Sequence, residues 1–415
     1  MLSVKQAEEI ILNLVPSLDS QLDAEAVNLL DAAGRILSTP VTSQLDFPHW
    51  DNSAMDGYAV RYADIQDCNA EQPTILAIVE EIPAGYQPQQ TIQPGQAARI
   101  LTGACMPLGA DTVVMQEMTR REGDRIFIFT ATKPQNFVRH RASFYQAGSP
   151  LLPAGIPLNA PEIAVLAAAQ CHQLSVYRRP RVAILSTGDE LVTPEQPLQP
   201  GQIVDSNQYA LAALVAQSGA IPQMLGIVPD EPEAIKNAIA PAVATSDMML
   251  STGGVSVGDY DYVDEILAQL GAEIHIRSVA VKPGKPLTVG TFNREFPRPH
   301  CLYFGLPGNP VSSLVSFWRF VQPALKKLAG LSNGWQVQWI KARSLQKLHS
   351  DGQQESYLWG NLNLVDGVYE FKLAGGSHSS GNLINLAQTT GLAVLPVGET
   401  SIPEGEIVRV LSIRS

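Results

Sequence analysis

Only four cysteines occur in the chain, Cys68, Cys105, Cys171 and Cys301, far apart and with no C-x-x-C pair. Neither a zinc site nor a disulfide framework is indicated by such spacing. The seven histidines are equally scattered, and a lone histidine is more often a surface or core residue than a ligand. No apolar span is long enough to cross a bilayer. Near the start, Glu8 and Glu9 precede a short apolar run that lacks the basic opening and longer apolar core of a signal peptide. The cytoplasm is therefore the expected location. Positive charge is scarce as well: 28 Lys and Arg against 40 Asp and Glu give a net charge of −12. That balance argues against nucleic acid or an anionic membrane as the main partner. In the glycine-rich stretch between residues 178 and 330, neither GxGxxG nor GxxxxGK[ST] occurs, so a standard nicotinamide or P-loop site is not expected.

What is present is globular. A hydrophobic content of 45% with 16% charged residues is neither disordered nor membrane-like. A chain of 415 residues has room for roughly three domains.

The chain is organised around residues 247 to 310. An apolar run MMLST (Met248 to Thr252) leads into GGVSVGDYDY, then a short helix, then KPGKP, and finally CLYFG leading into LPGNP. Two earlier turns repeat the arrangement, since VAILS runs into TGDE and MLGIV runs into PDE. Between these runs lie NQYALAALVAQSGA, with Leu211, Leu214 and Val215 at helical spacing, and PEAIKNAIAPAVAT. The alternation β-α-β-α-β predicts a doubly wound, mostly parallel sheet over residues 178 to 330. In such a sheet ligands bind beyond the carboxyl ends of the strands, so the turns are expected to share one rim.

That rim mixes acids (Asp189, Glu190, Asp230, Asp259, Asp261) with Lys282, Lys285 and glycine-rich backbone. Each turn alone is ordinary turn chemistry. Together they pose an electrostatic conflict: carboxylates near a phosphate repel it, by about 4 kcal/mol for two unit charges ~4 Å apart at an effective dielectric of ~20. A divalent hard cation resolves the conflict. Mg²⁺ takes oxygens from one or two carboxylates plus phosphates and waters, and lysines and helix-start N–H groups hold the remaining charge. The expected ligand is a phosphate-bearing anion with Mg²⁺.

Elsewhere, VKQAEEIILNL and DAEAVNLLDAAGRIL carry apolar residues at threes and fours, and two opening helices are predicted, the second stopping at Gly34. Asp56-Gly57 is the strongest local hairpin signal. TILAIVEEI, AARILTG, TVVMQEM and RIFIF read as strands of a small β domain over 50–140. Residues 1–49 and 141–177 form a helical and extended linker domain, with Pro161 opening an alanine-rich helix. After the helix that begins at Pro310 and stops at Gly330, residues 331–415 read as a small β barrel or sandwich, from WQVQWIKARS, YLWGNLNLV, VYEFKLA, GLAVLPVG and EIVRVLSI. The fold class expected is thus α/β plus β.

Taken in order, PHWDNSAMDGYAV, RILTGACMPLGADTVVMQE, LSTGDEL, IVDSN, STGGVSVGDYDY, VKPGKP and GLPGNPVS resemble the molybdopterin molybdenumtransferase family, which includes the C-terminal domain of gephyrin. The resemblance covers nearly the whole chain and is weaker after residue 330. It implies an enzyme that binds adenylylated molybdopterin and molybdate, cleaves the phosphoanhydride with Mg²⁺, releases AMP and delivers molybdenum to the dithiolene sulfurs. It also implies an elongated homodimer, the sheet domain of one subunit facing the small β domain of the other, and a molybdopterin adenylyltransferase as a partner. Position by position, Glu190, Asp230 and Asp261 match functional carboxylates, as Mg²⁺ ligands or electrostatic positioners. Lys282 and Lys285 would hold phosphate or molybdate, and Asp189, Gly253, Gly254 and Ser256 would line the ligand. Pro307, Asn309 and Pro310 would shape the turn beside it, with Ser380 contributed from the last domain. Asp56 and Thr102 would come from the other subunit.

Two departures stand out. Where the family reads N-x-R-x-x-G-x-D, this chain has Phe144 at the aspartate position, and Trp359 follows Leu358 where an arginine often stands. These changes motivate a second expectation, a molybdopterin-binding carrier that has lost chemistry. A third is an adenylyltransferase acting one step earlier on the same pterin.

Overall fold

The computed structural model describes residues 1–16, 18–253, 262–293 and 300–413. It divides into two compact units, one comprising Pro40–Pro153 and Ala164–His172, the other Met1–Thr39, Ala154–Ile163 and Gln173–Ser415. Fold and class agree with the sequence reading: α/β plus β.

The smaller unit holds a six-stranded sheet in the order Thr112–Met115, Gly57–Val60, Gln96–Ile100, Thr74–Ile82, Arg125–Ile128, Thr119–Glu122. Its pairings are antiparallel except between Thr74–Ile82 and Gln96–Ile100. Successive side chains of a strand face opposite ways. Accordingly Tyr58 and Val60 enter one apolar cluster with Leu76 and Ile126, while Ala59 enters another with Ile100 and Val113. Asp56-Gly57 makes no hairpin. Gly57 already begins a strand paired on both sides, and a Cβ there would lie 2.0 Å from the Val114 carbonyl oxygen. The glycine reflects close strand packing rather than a turn.

The larger unit is built on the sheet predicted from the alternating runs. In chain order it comprises β1 (Arg181–Thr187), α1 (Asn207–Gln217), β2 (Ile221–Val228), α2 (Pro232–Thr245), β3 (Met248–Thr252), α3 (Tyr262–Gln269), β4 (Ala272–Ser278), β5 (Pro286–Asn293), β6 (His300–Leu306) and α4 (Pro310–Ser316). The sheet order is β2-β1-β3-β6-β5-β4. The first four are parallel, and β5 runs antiparallel to both of its neighbours, β6 and β4. Both faces are covered, as a parallel sheet requires. Val182, Ile184, Leu250 and Phe304 pack with Leu211 and Val215 of α1, whereas Ala183, Leu185, Met249 and Tyr303 pack with Ile235 and Ile239 of α2 and Ile266 of α3. Each such fully buried Leu, Ile or Phe contributes roughly 1.5–3 kcal/mol.

The chain begins with a helix, Val4–Leu14, closed by a reciprocal capping box between Ser3 and Gln6. Its buried Val4, Ala7 and Ile11 join the sheet's first apolar cluster. A bidentate pair from Arg319 to Glu8, at 2.9 and 2.8 Å, ties it to the helical run that follows α4. The second predicted helix is not formed. Ala24–Asn28 is a strand paired antiparallel with Gln173–Tyr177, followed by a single 3₁₀ turn at Leu29–Ala32. Alanine and leucine at helical spacing were outweighed there by a long-range strand partner that local propensity cannot reveal.

The C-terminal segment closes on itself. Glu355–Val365, Val368–Leu373, Gln338–Ser344, Ile407–Ser412 and Gly391–Leu395 pair in sequence, and the last pairs again with the first. The result is a five-stranded barrel. Val281–Lys282 adds to its edge beside Glu355–Val365. Among the described residues no helix is long and apolar enough to cross a membrane.

Candidate functional site

Because β1, β2, β3 and β6 run parallel, their last residues Thr187, Val228, Thr252 and Leu306 fall on one rim. The antiparallel β5 starts at the same edge, since Thr288 lies opposite Gly305. A cleft of about 640 Å³ opens on this rim, lined among others by Thr187, Glu190, Thr252, Gly253, Pro286, Pro307, Asn309 and Pro310. Its floor is backbone at close quarters. Gly253 has φ +88°, and a Cβ there would sit 2.3 Å from the Thr187 carbonyl oxygen. A side chain is excluded both by conformation and by space. The strand ends are also stitched by a hydroxyl pair, Ser186 Oγ to Thr252 Oγ1 at 3.0 Å.

Three carboxylates gather at one side. The backbone N–H of Asp230 donates to Asp189 Oδ1 at 3.2 Å. The Glu190 carboxylate folds back over Gly188, whose would-be Cβ lies 2.7 Å from Glu190 Oε2. Asp230 titrates above its ordinary range because its carboxyl is partly withdrawn from water and then because Asp189 and Glu190 repel its charged form; the Thr187 side chain opposes this. Thr187 Oγ1 is buried and makes no hydrogen bond within normal reach among the described residues. Among those residues no group of three His, Cys, Asp or Glu forms a ready cation cage. A cation that takes one or two carboxylates and completes its shell with ligand oxygens and water still fits this donor set. Crowded negative charge with a raised carboxyl is what such a cation would relieve.

On the opposite side lies the turn into α4. Pro310 occupies the first helical turn, and Asn309 at the cap position does not cap: its Nδ2 donates instead to Ser380 Oγ at 3.2 Å. Val311 N–H donates to the Ser380 carbonyl, also at 3.2 Å. Gly381 and Leu383 then form part of the cleft wall. Ser380 is thus brought to the rim from a loop of the barrel.

The predicted residues sort as follows. Glu190, Gly253, Pro307, Asn309 and Pro310 line the cleft, Asp189 and Asp230 stand beside Glu190, and Ser380 holds the Asn309 turn. Lys282 is turned to the barrel, its Nζ 2.7 Å from Asp351 Oδ2. Lys285 is exposed one position before Pro286 of the cleft lining. Gly284 of the same turn packs against α4, with Ser316 Oγ 2.8 Å from a would-be Cβ. Asp56 and Thr102 belong to the other compact unit, where Asp56 Oδ1 accepts from Thr102 N at 2.7 Å and from its Oγ1 at 2.8 Å. Gly254, Ser256, Asp259 and Asp261 lie outside the described residues. Phe144 is 73% exposed, whereas Trp359 is only 1% exposed and so belongs to the core rather than to any solvent-facing site.

Sequence reasoning gave no role to Asp205 and Asn207, although IVDSN signalled the region. Asn207 Nδ2 donates to the Gly308 carbonyl at 2.8 Å, and its buried Oδ1 has no partner among the described residues. Asp205 is 3% exposed and accepts from Gln208 N and Nε2, and Gln208 in turn accepts from Gly226 N. Asp205 thereby fixes the start of α1, which carries Asn207 into the cleft wall.

An open α/β sheet with a rim cleft of this kind, joined to a closed β barrel, belongs to the class of α/β domains that bind ligands beyond the carboxyl ends of their strands. Three family models match the chain in order: the MoeA N-terminal region (domain I and II) over residues 2–169, a probable molybdopterin binding domain over 183–327, and the MoeA C-terminal region (domain IV) over 341–413. A molybdopterin molybdenumtransferase of Nostoc sp. is 66% identical, covering 100% of this chain and 94% of that protein. One from Haemophilus influenzae is 36% identical over 89% of this chain and 86% of its own length. The crystal structure of a molybdopterin biosynthesis MoeA protein from Pyrococcus horikoshii superposes with a TM-score of 0.84 at 26% identity, over 99% of this chain and 100% of that one. The chain belongs to the molybdopterin molybdenumtransferase family, a family of transferases.

Proposed function

We propose that the protein inserts molybdate into adenylylated molybdopterin, with Mg²⁺-dependent release of AMP, as a step of molybdenum cofactor biosynthesis. The observation that carries this reading is the rim cleft, where the carboxylates of Asp189, Glu190 and Asp230 stand next to the glycine-floored strand ends and face the Asn309 turn. Glu190 and Asp230 hold Mg²⁺, which when bound supplies positive charge against the ligand phosphates. Asp189 positions Asp230, and Gly253 lets the ligand approach backbone. Lys285 meets the anionic end of the ligand, and Lys282 can do so only by leaving Asp351. Pro307, Asn309, Pro310 and Ser380 bound the other side. Gly254, Ser256 and Asp261 complete the set on the strength of the family resemblance.

The proposal extends to a cytoplasmic homodimer in which Asp56 and Thr102 are supplied by a second copy, with a molybdopterin adenylyltransferase delivering the substrate. The four-part division at 1–49 with 141–177, 50–140, 178–330 and 331–415 is its proposed domain organisation.

The test is direct. Purified protein incubated with adenylylated molybdopterin, Mg²⁺ and molybdate should release AMP, and omission of Mg²⁺ should stop it. Tight binding of the pterin without AMP release would favour a carrier. Formation of the adenylylated pterin from ATP would mark the protein as an adenylyltransferase instead.

A further inference from the structure

One wall of the cleft is built from a loop whose apolar anchorage is confined to Ala374 and Leu383, partly buried against the first apolar cluster. Residues 374 to 385 contribute Ser380, Gly381 and Leu383 to the Asn309 side, yet half of the loop is exposed and none of it is fully buried. Segments with few buried apolar contacts open locally unless polar bonds fix them. Besides a bond from Asn382 Nδ2 to the Ser377 carbonyl at 2.8 Å, they lead here to one buried aromatic residue behind the wall. Trp359 Nε1 donates to Asn385 Oδ1 at 3.0 Å. Asn385 Nδ2 in turn donates to the carbonyls of Gly375 at 3.0 Å and Ser377 at 2.9 Å, spanning the loop from end to end. The indole also lies against the His378 ring, with centroids 4.5 Å apart at a 43° tilt.

His378 is held on its other side by the Ala374 carbonyl, 2.8 Å from Nε2. A carbonyl only accepts, so Nε2 carries the proton. Nδ1 is buried with no partner among the described residues. The ring is therefore oriented by one hydrogen bond and by its contact with Trp359. Two residues further on, Ser380 makes both contacts to the turn at Asn309 and Val311.

We infer that Trp359 is a positioning residue for the cleft: through Asn385 and His378 it latches the 374–385 loop so that Ser380 and Asn309 present a fixed wall to the ligand. The ligand assignment rests on the function proposed above, whereas the latch itself does not. Trp359 never touches the ligand in this account. Its effect is on how often the wall is in place, which governs binding more than turnover.

The experiment uses the full chain and the variants Trp359→Phe, which keeps an aromatic ring and removes the N–H, Asn385→Ala, and the two combined. Amide hydrogen exchange of the unliganded protein is expected to accelerate about tenfold in residues 374 to 385 in Trp359→Phe, which loses one structural hydrogen bond, and more in Asn385→Ala, which loses three. The barrel strands Val368–Leu373 and Gly391–Leu395 should keep wild-type exchange. In the AMP-release assay KM for adenylylated molybdopterin should rise roughly fivefold with kcat within about twofold. The double variant should be no worse than Asn385→Ala alone, because that substitution already removes the bond that Trp359→Phe deletes. Unchanged exchange in the loop, or equal acceleration through the whole barrel, would overturn the inference. So would additive effects of the two substitutions. Should the wild type release no AMP, the proposed function fails while the exchange comparison still decides the latch.

Discussion

Two aspartates in this molecule show opposite electrostatic states. Asp56, in the smaller unit, titrates below its ordinary range because the Thr102 N–H and hydroxyl both donate to it. Asp230, on the rim of the large sheet, titrates above that range because burial and its neighbours Asp189 and Glu190 disfavour its charge. A carboxylate supplied with donors is already at rest in the fold. One crowded by other carboxylates stores unfavourable interaction that a cation can release, and such perturbed groups collect at functional sites. The contrast assigns Asp56 a local structural bond and gives Asp230 the stronger claim to ligand chemistry.

The largest effect should come from breaking the floor on which the Asp230 cluster stands. Gly253→Ala places a Cβ 2.3 Å from the Thr187 carbonyl oxygen at φ +88°, and strain of that kind costs about 3 kcal/mol. Thermal unfolding should show the loss, and a Tm equal to wild type would mean the strand ends are less tightly apposed. Glu190→Gln comes next. It keeps shape and removes one charge from the cluster, so AMP release should slow about a hundredfold, or ~2.7 kcal/mol, while pterin binding by calorimetry persists. Retained turnover would remove Glu190 from the reaction. Smaller again is Thr102→Val, which deletes the hydroxyl donor to Asp56 but leaves the backbone N–H. A modest fall in Tm is expected, with no change in Mg²⁺ affinity at the rim of an isolated protomer.

How much of this was readable beforehand depends on whether the cause was local. The central sheet was legible because uninterrupted apolar runs such as Val182–Leu185 and Met248–Leu250 alternate with helical spacing, and parallel strands then oblige their turns to share a rim. The strand at Ala24–Asn28 was not, because its reason for being extended is a partner about 150 residues later. Gly57 resembled a turn residue but answers to the Val114 carbonyl. Lys282 looked like an anion ligand from KPGKP, yet its ion pair with Asp351 depends on the barrel lying alongside. Trp359 was noticed only as an unexpected residue, and that the indole is buried behind a cleft loop is a fact of tertiary packing alone.

The smallest effect is also the sharpest test of the two aspartates, because it predicts a difference in sign. For Asp56 the folded state lowers the carboxyl below its ordinary 3.8. The unfolded chain then binds more protons in the window beneath 3.8, so this bond's stability is present above it and is lost as pH falls through the depressed value. For Asp230 the folded state raises the carboxyl above 3.8. The folded chain now binds more protons, so the favourable state exists below 3.8 and is lost as pH rises through the raised value. In chelator-treated protein near neutral pH, Asp230→Asn should therefore raise Tm slightly and Asp56→Asn should lower it. Both differences should shrink in acid as each wild-type carboxyl takes up its proton, Asp230 before Asp56. Thermal scans from about pH 3 to 7, spanning the carboxylate range, measure this. Shifts of the same sign at pH 7 would mean the Asp230 cluster is not repulsive, and the case for a cation at that side of the cleft would lose its electrostatic basis.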